Sequence, residues 1–127
     1  MVKSVYTRKA AKPLGHSSQS VEAYSMIFIA GTMGVNPNTD EVVKGGIDME
    51  MPVLIENLTQ SMKHSFTSWS NVLKFTIYLT NIDDFDKVNE YLKEVLGETK
   101  PIFTVVEVSR LIRKEASVCI DGIISSF

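Results

Sequence analysis

The sequence predicts an α+β fold in which two helices lie on one face of a mixed sheet, in the order β-β-β-α-β-α-β-β. Short β-prone runs bounded by turn residues occupy the first and last thirds of the chain. Two stretches of helical periodicity flank a single strand between them. A length of 127 residues suits one domain spanning 1–127, long enough to bury a core.

Each element has a local reason. Val5 and Tyr6 look like a short strand. Val21 to Ala23 and Met26 to Ala30 read as a hairpin joined at Tyr24-Ser25. Gly31, Gly34, Asn36-Pro37-Asn38 and Gly45-Gly46 mark a long turn region, with a brief strand at Glu41 to Val43. A helix is expected from Asp48, which can cap it. Pro52 falls in its first turn, and Leu54, Leu58 and Met62 recur every four residues, with Ile55 widening the stripe. Its end is expected near Ser68 to Ser70. Val72 to Leu79 carries apolar residues on both faces, which predicts a strand buried on both sides. A second helix, capped by Asp83 or Asp84, places Phe85, Val88, Leu92 and Val95 on one face and stops at Gly97. The last strands, Phe103 to Val108 and Ser117 to Ile124, are separated by a polar loop around Arg113-Lys114-Glu115. Two helices cover one sheet face, so the other is expected to pack against copies of the chain in a closed homo-oligomer.

Composition narrows the function classes. With 44% hydrophobic and 22% charged residues, the chain reads as an ordinary globular protein. A net charge of -2 supplies no broad basic surface, so no nucleic-acid partner is expected. No apolar stretch is long enough to span a bilayer, and no membrane partner is expected. The single cysteine, Cys119, fits a reducing compartment, and a cytoplasmic location is the simplest reading. Lys3, Arg8, Lys9 and Lys12 also suit the start of an organelle presequence, a reading opposed by the strand character of Val5 and Tyr6. No metal-ligand spacing or phosphate-binding glycine loop is present, and no cofactor is expected.

Several segments carry a resemblance to a known family. These are Leu14-Gly15-His16-Ser17-Ser18-Gln19, the run Phe28 to Pro37, the run Lys74 to Phe85 with Val88-Asn89 behind it, and Lys100-Pro101. Over about Lys9 to Ile124 the chain resembles the Rid (YjgF) family. The resemblance implies a chorismate-mutase-like domain, a homotrimer, and a small-molecule cleft at each subunit interface. Studied members are similar to enamine and imine deaminases, in which an arginine holds the substrate carboxylate and a glutamate positions water. A guanidinium fixes a planar carboxylate bidentately, which no neutral side chain does.

The resemblance also exposes departures. Phe103 stands at the arginine position. Cys119 falls at the glutamate position if one residue is inserted in the preceding loop, and Val118 does so without the insertion; neither is a carboxylate. Ser17 replaces a tyrosine, Ala30 a serine and Thr32 a glutamine. Gly31 and Asn89 match, although Gly31 also suits a backbone turn and Asn89 an exposed helix face. The expected ligand cleft therefore comprises Ser17, Ala30, Gly31, Thr32, Asn89, Phe103 and Cys119, and catalytic residues are unassigned. The favoured expectation is a trimer that binds a small neutral or aromatic metabolite without imino-acid deamination. The alternatives are a deaminase that recruits Arg110, Lys74 or Lys100, and a ribonuclease. A His16–Cys119 nucleophilic pair is weighed against Cys119 as a small buried hydrophobe.

Overall fold

The computed structural model describes residues 2–126. Its main sheet has six strands in the order β1-β2-β3-β8-β6-β7. These are β1 (Lys3–Val5), β2 (Ser20–Ala23), β3 (Met26–Thr32), β6 (Val72–Leu79), β7 (Ile102–Glu107) and β8 (Val118–Ser125). A small ribbon pairs β4 (Val35–Asn36) with β5 (Glu41–Val42). The helices are α1 (Ile47–His64) and α2 (Phe85–Leu96). All pairs in the main sheet are antiparallel except β6 and β7, which run parallel around the α2 crossover. Five strands precede α1, two more than the expected order, because β1 joins the sheet edge and the turn region folds back as the β4–β5 ribbon.

Both helices cover one face, as the two apolar stripes require. Leu54, Leu58, Met62, Val88 and Leu92 meet Ile27, Phe75, Ile77, Ile120 and Ile124 in one buried core. The side chains of β6 alternate, so Phe75, Ile77 and Leu79 are buried while Lys74, Thr76 and Tyr78 are half-buried. Among the described residues of one protomer no helix covers the second face, where burial of β6 is partial.

The element ends differ in instructive ways. Asp48 does not cap α1; Gly46, at φ +79, precedes the first turn, and Asp48 pairs instead with Lys87 and Tyr91 of α2. The helix stops at His64, short of Ser68, because Phe66 turns into the left-handed region at φ +58. The expected end of α2 is met by Gly97 at φ +60, while Asp84 precedes the helix without a side-chain cap and Asn81 caps the short 3₁₀ turn before it. Trp69 is a packing residue: its ring stacks edge-on against Phe75, and its Nε1 donates to Thr59 Oγ1 at 3.0 Å.

Candidate functional site

A β-bulge builds the first wall of the site. Ile29 pairs with Gly122 and Thr32 with Ile120, so β3 carries one extra residue across Ala30–Gly31. The expected loop is thus the bulged end of a strand, which aims Ala30, Gly31 and Thr32 toward Cys119 of the neighbouring β8. A Cβ at Gly31 would lie 2.9 Å from Cys119 Sγ, so any larger residue there would have to displace the thiol.

The second wall is the N-terminal segment, held down by two buried amides. Gln19 Nε2 donates to the carbonyls of Thr7, Ala10 and Ala11 at 3.0, 3.3 and 2.7 Å, and its Oε1 accepts from the Thr7 amide at 2.7 Å. Asn57 of α1 donates through Nδ2 to Met33 and Val35 carbonyls at 3.2 and 2.8 Å, and its Oδ1 accepts from the Ala11 amide at 3.1 Å. Both side chains are buried and satisfied, which fixes the segment against α1 and the strand end. Sequence reasoning missed Asn57, whose signal was an amide directly beside Leu58 in the apolar stripe of α1.

Between these walls lies a cavity of about 240 Å³. Ser17, Ala30, Gly31, Thr32 and Cys119 line it, as expected, together with apolar groups such as Leu14, Met33, Val35 and Ile112. Asn89 and Phe103 do not. They line a separate groove of about 350 Å³ with Lys93, Leu96 and Lys100. Phe103 lies beside Phe75 across the β6–β7 pair, with ring centroids 6.3 Å apart, on the helix-facing side of the edge strand. The expected seven-residue cleft is therefore divided between two surfaces of one protomer.

Cys119 is suited to packing. Burial, reinforced by the charge of Asp121, pushes its thiol up to about 12, so it is protonated at neutral pH and a poor nucleophile. His16 is exposed and does not line the cavity, so the two form no nucleophile–base pair. Asp121, two residues on, accepts a 2.9 Å hydrogen bond from Tyr78 Oη, a contact that raises the phenol's pKa.

The cations of the cavity are ones that sequence reasoning did not select. Arg110 is exposed, Lys74 Nζ donates to Thr76, and Lys100 belongs to the Phe103 groove. Lys12 and Arg113 line the cavity instead, and no aspartate or glutamate does. The signal was the position of Arg113 in the polar loop just ahead of β8. Among the described residues no group of three or more His, Cys, Asp or Glu side chains is placed to hold a metal ion, and no helix is long and apolar enough to cross a membrane.

The pattern of the endoribonuclease L-PSP family matches residues 7–125, nearly the whole chain. The chain belongs to that family, the Rid (YjgF) proteins. Its Rid relatives include a RutC family protein of Pyrococcus abyssi, 41% identical over 84% of each chain. The 2-iminobutanoate/2-iminopropanoate deaminase of Mus musculus is 32% identical, over 87% of this chain and 82% of that one. Among solved structures, RidA from an Antarctic Psychrobacter superposes with a TM-score of 0.91 at 29% identity, over 97% and 98% of the two chains. TdcF of E. coli with bound serine superposes with a TM-score of 0.88 at 27% identity, again over 97% and 98%. The two-helix, mixed-sheet architecture is the Rid fold.

Proposed function

We propose that this Rid protein binds a compact metabolite with an apolar or aromatic body in a cleft shared between subunits of a homotrimer, without imino-acid deamination. One observation carries the chemical half: no carboxylate lines the cavity beside Gly31, and its thiol is held neutral. Hydrolysis of an imine needs a group to position and deprotonate water, and none is available at that wall. The aromatic preference rests on Phe103, the family's arginine position, and on the mainly apolar lining of the cavity.

Surface composition supports assembly. The edge strand β7 exposes Ile102 (66% accessible) and Val106, and the half-buried Phe28, Tyr78 and Ile123 occupy the sheet face turned away from the helices. In the proposed trimer the Phe103–Asn89 groove of one subunit would complete the Cys119 cavity of the next. Sedimentation equilibrium is expected to give about three times the 14.2 kDa chain mass. A monomer at micromolar concentration would overturn the shared cleft. A cytoplasmic location is part of the same proposal.

A second reading has a specific observation behind it. Relatives named as 2-iminobutanoate/2-iminopropanoate deaminases, together with Lys12 and Arg113 in the cavity wall, favour a deaminase with a relocated cation. Ammonia release from 2-iminobutanoate generated in situ, compared between the parent and Phe103→Arg, separates the two. An inert parent beside a variant that gains turnover supports loss of chemistry at Phe103; an active parent overturns it. The ribonuclease implied by the family's description is not favoured, because a chain of net charge -2 offers no basic, aromatic track for RNA.

A further inference from the structure

We propose that Tyr24 and Phe66 are the anchors of a docking site for an acidic, apolar segment of a partner protein, at a corner of the fold distinct from the ligand cavity. Both rings stand where the backbone favours another residue. Ala23 pairs with Met26, so Tyr24-Ser25 is a two-residue hairpin loop, and its φ values of +54 and +60 are ones that asparagine and glycine adopt most readily. Phe66, at φ +58, follows the end of α1 at the position that glycine usually fills. Neither side chain is packed: Tyr24 is 82% and Phe66 93% accessible. A ring kept on strained backbone without burial inside the protomer marks a contact made outside it.

The two rings belong to one corner. Ser65 Oγ donates to Glu22 Oε2 at 3.3 Å and Thr67 Oγ1 donates to the Ser125 carbonyl at 2.7 Å, so the neighbours of Phe66 on both sides are tied to β2 and β8. The Ser126 amide donates to the Ser25 carbonyl at 3.0 Å, which brings the hairpin loop to the same strand end. Beside Tyr24 lies a recess of about 290 Å³ lined by Lys3, Glu22, Met26 and Ser126, with room for an apolar side chain. Charge then selects the occupant. Among residues 2–5, 20–27, 62–68 and 123–126, which form the corner, Lys3 and Lys63 are exposed and in no ion pair, while the one carboxylate, Glu22, is engaged by Ser65. A positive corner with aromatic anchors fits a segment that carries aspartate or glutamate beside leucine or phenylalanine. A second copy of the chain would set one positive corner against another, and two lysines fall short of the basic cluster that an anionic bilayer recruits.

The test is isothermal titration calorimetry of the intact protein with a short synthetic peptide of glutamate, leucine and phenylalanine, and with its glutamine-for-glutamate counterpart. The acidic peptide is expected to bind about tenfold tighter than the neutral one, a gap that closes in high salt, and to shift the amide resonances of Tyr24, Ser25 and Phe66 in the NMR spectrum. Tyr24→Asn and Phe66→Gly suit the backbone at each position, so each is expected to melt at or above the parent temperature and yet to lose about tenfold in affinity. No binding by the parent, equal affinity for the two peptides, or unchanged affinity in the folded double variant overturns the proposal. Shifts at Gly31 and Thr32 instead would place the peptide in the ligand cavity and do the same. Two further arms separate the other occupants. Self-association that Phe66→Gly abolishes would assign the corner to a second copy, and co-sedimentation with vesicles of phosphatidylcholine and phosphatidylglycerol, lost in the same variant, would assign it to lipid; either result overturns a protein partner.

Discussion

Replacing Asn57 with leucine removes a buried amide of similar size and leaves its three partners behind. Asn57 is 3% accessible, and its partners are the carbonyls of Met33 and Val35 and the amide of Ala11. A net hydrogen bond contributes about 1 kcal/mol, and a buried group left unpaired costs roughly 1–3 kcal/mol. Water reaching part of the opened site lowers the sum, so the expected loss is about 3–5 kcal/mol by the same magnitudes. With a urea slope of about 2 kcal/mol/M, the midpoint should fall by roughly 2 M. Protomer concentration must be held constant, because assembly adds to apparent stability. A second readout localises the effect: hydrogen exchange at the Ala11 amide should accelerate far more than at Leu58 in the same helix. Asn57→Asp keeps the acceptor for Ala11 but turns a carboxylate toward two carbonyls, so it should destabilise while protecting Ala11. A loss below about 1 kcal/mol for Asn57→Leu would refute the assignment of Asn57 as the tie between α1 and the cavity wall.

Three further predictions concern single positions. Gly31→Ala puts a Cβ 2.9 Å from Cys119 Sγ, so it should destabilise the fold; adding Cys119→Ala should restore much of the stability, and additive effects would contradict the contact. Cys119 should resist iodoacetamide at pH 8 in the folded protein and react once urea unfolds it, read by mass spectrometry. Because its folded pKa, about 12, exceeds the ordinary value of 9.0, the stability tied to the neutral thiol is intact below pH 9 and is lost between pH 9 and 12. Phe66→Gly should stabilise by about 1 kcal/mol in thermal melts, since a 93% exposed phenylalanine at φ +58 pays left-handed strain with little burial in return; a lower melting temperature would count against this.

Much of the fold was legible because periodicity and punctuation agreed. Leu54, Leu58 and Met62 marked the buried stripe of α1, Gly97 the end of α2, and Tyr24-Ser25 the first hairpin. Of the short strands, β1 was anticipated at Val5, whereas β4 was not, since two residues carry no period. Likewise Gly31-Thr32, just past the expected strand Met26 to Ala30, read as loop because glycine looks the same in a turn and in a bulge. At the site, resemblance selected Ser17, Ala30, Gly31, Thr32 and Cys119, which the fold does bring to one cavity. It could not separate Asn89 and Phe103 into another groove, because the side of the sheet that an edge residue faces depends on register. Arg113 was hidden for a different reason: its place follows from an ion pair with Asp40 across 73 residues of sequence.

The most direct test of the central claim is ammonia release by the unmodified protein from 2-iminobutanoate generated in situ, followed from pH 6 to 9. The murine 2-iminobutanoate/2-iminopropanoate deaminase serves as positive control. A cavity without a carboxylate and with a neutral thiol predicts release at the uncatalysed rate, independent of how much protein is added. Release that rises in proportion to protein concentration would contradict the account and make this chain a deaminase with its chemistry carried by other residues.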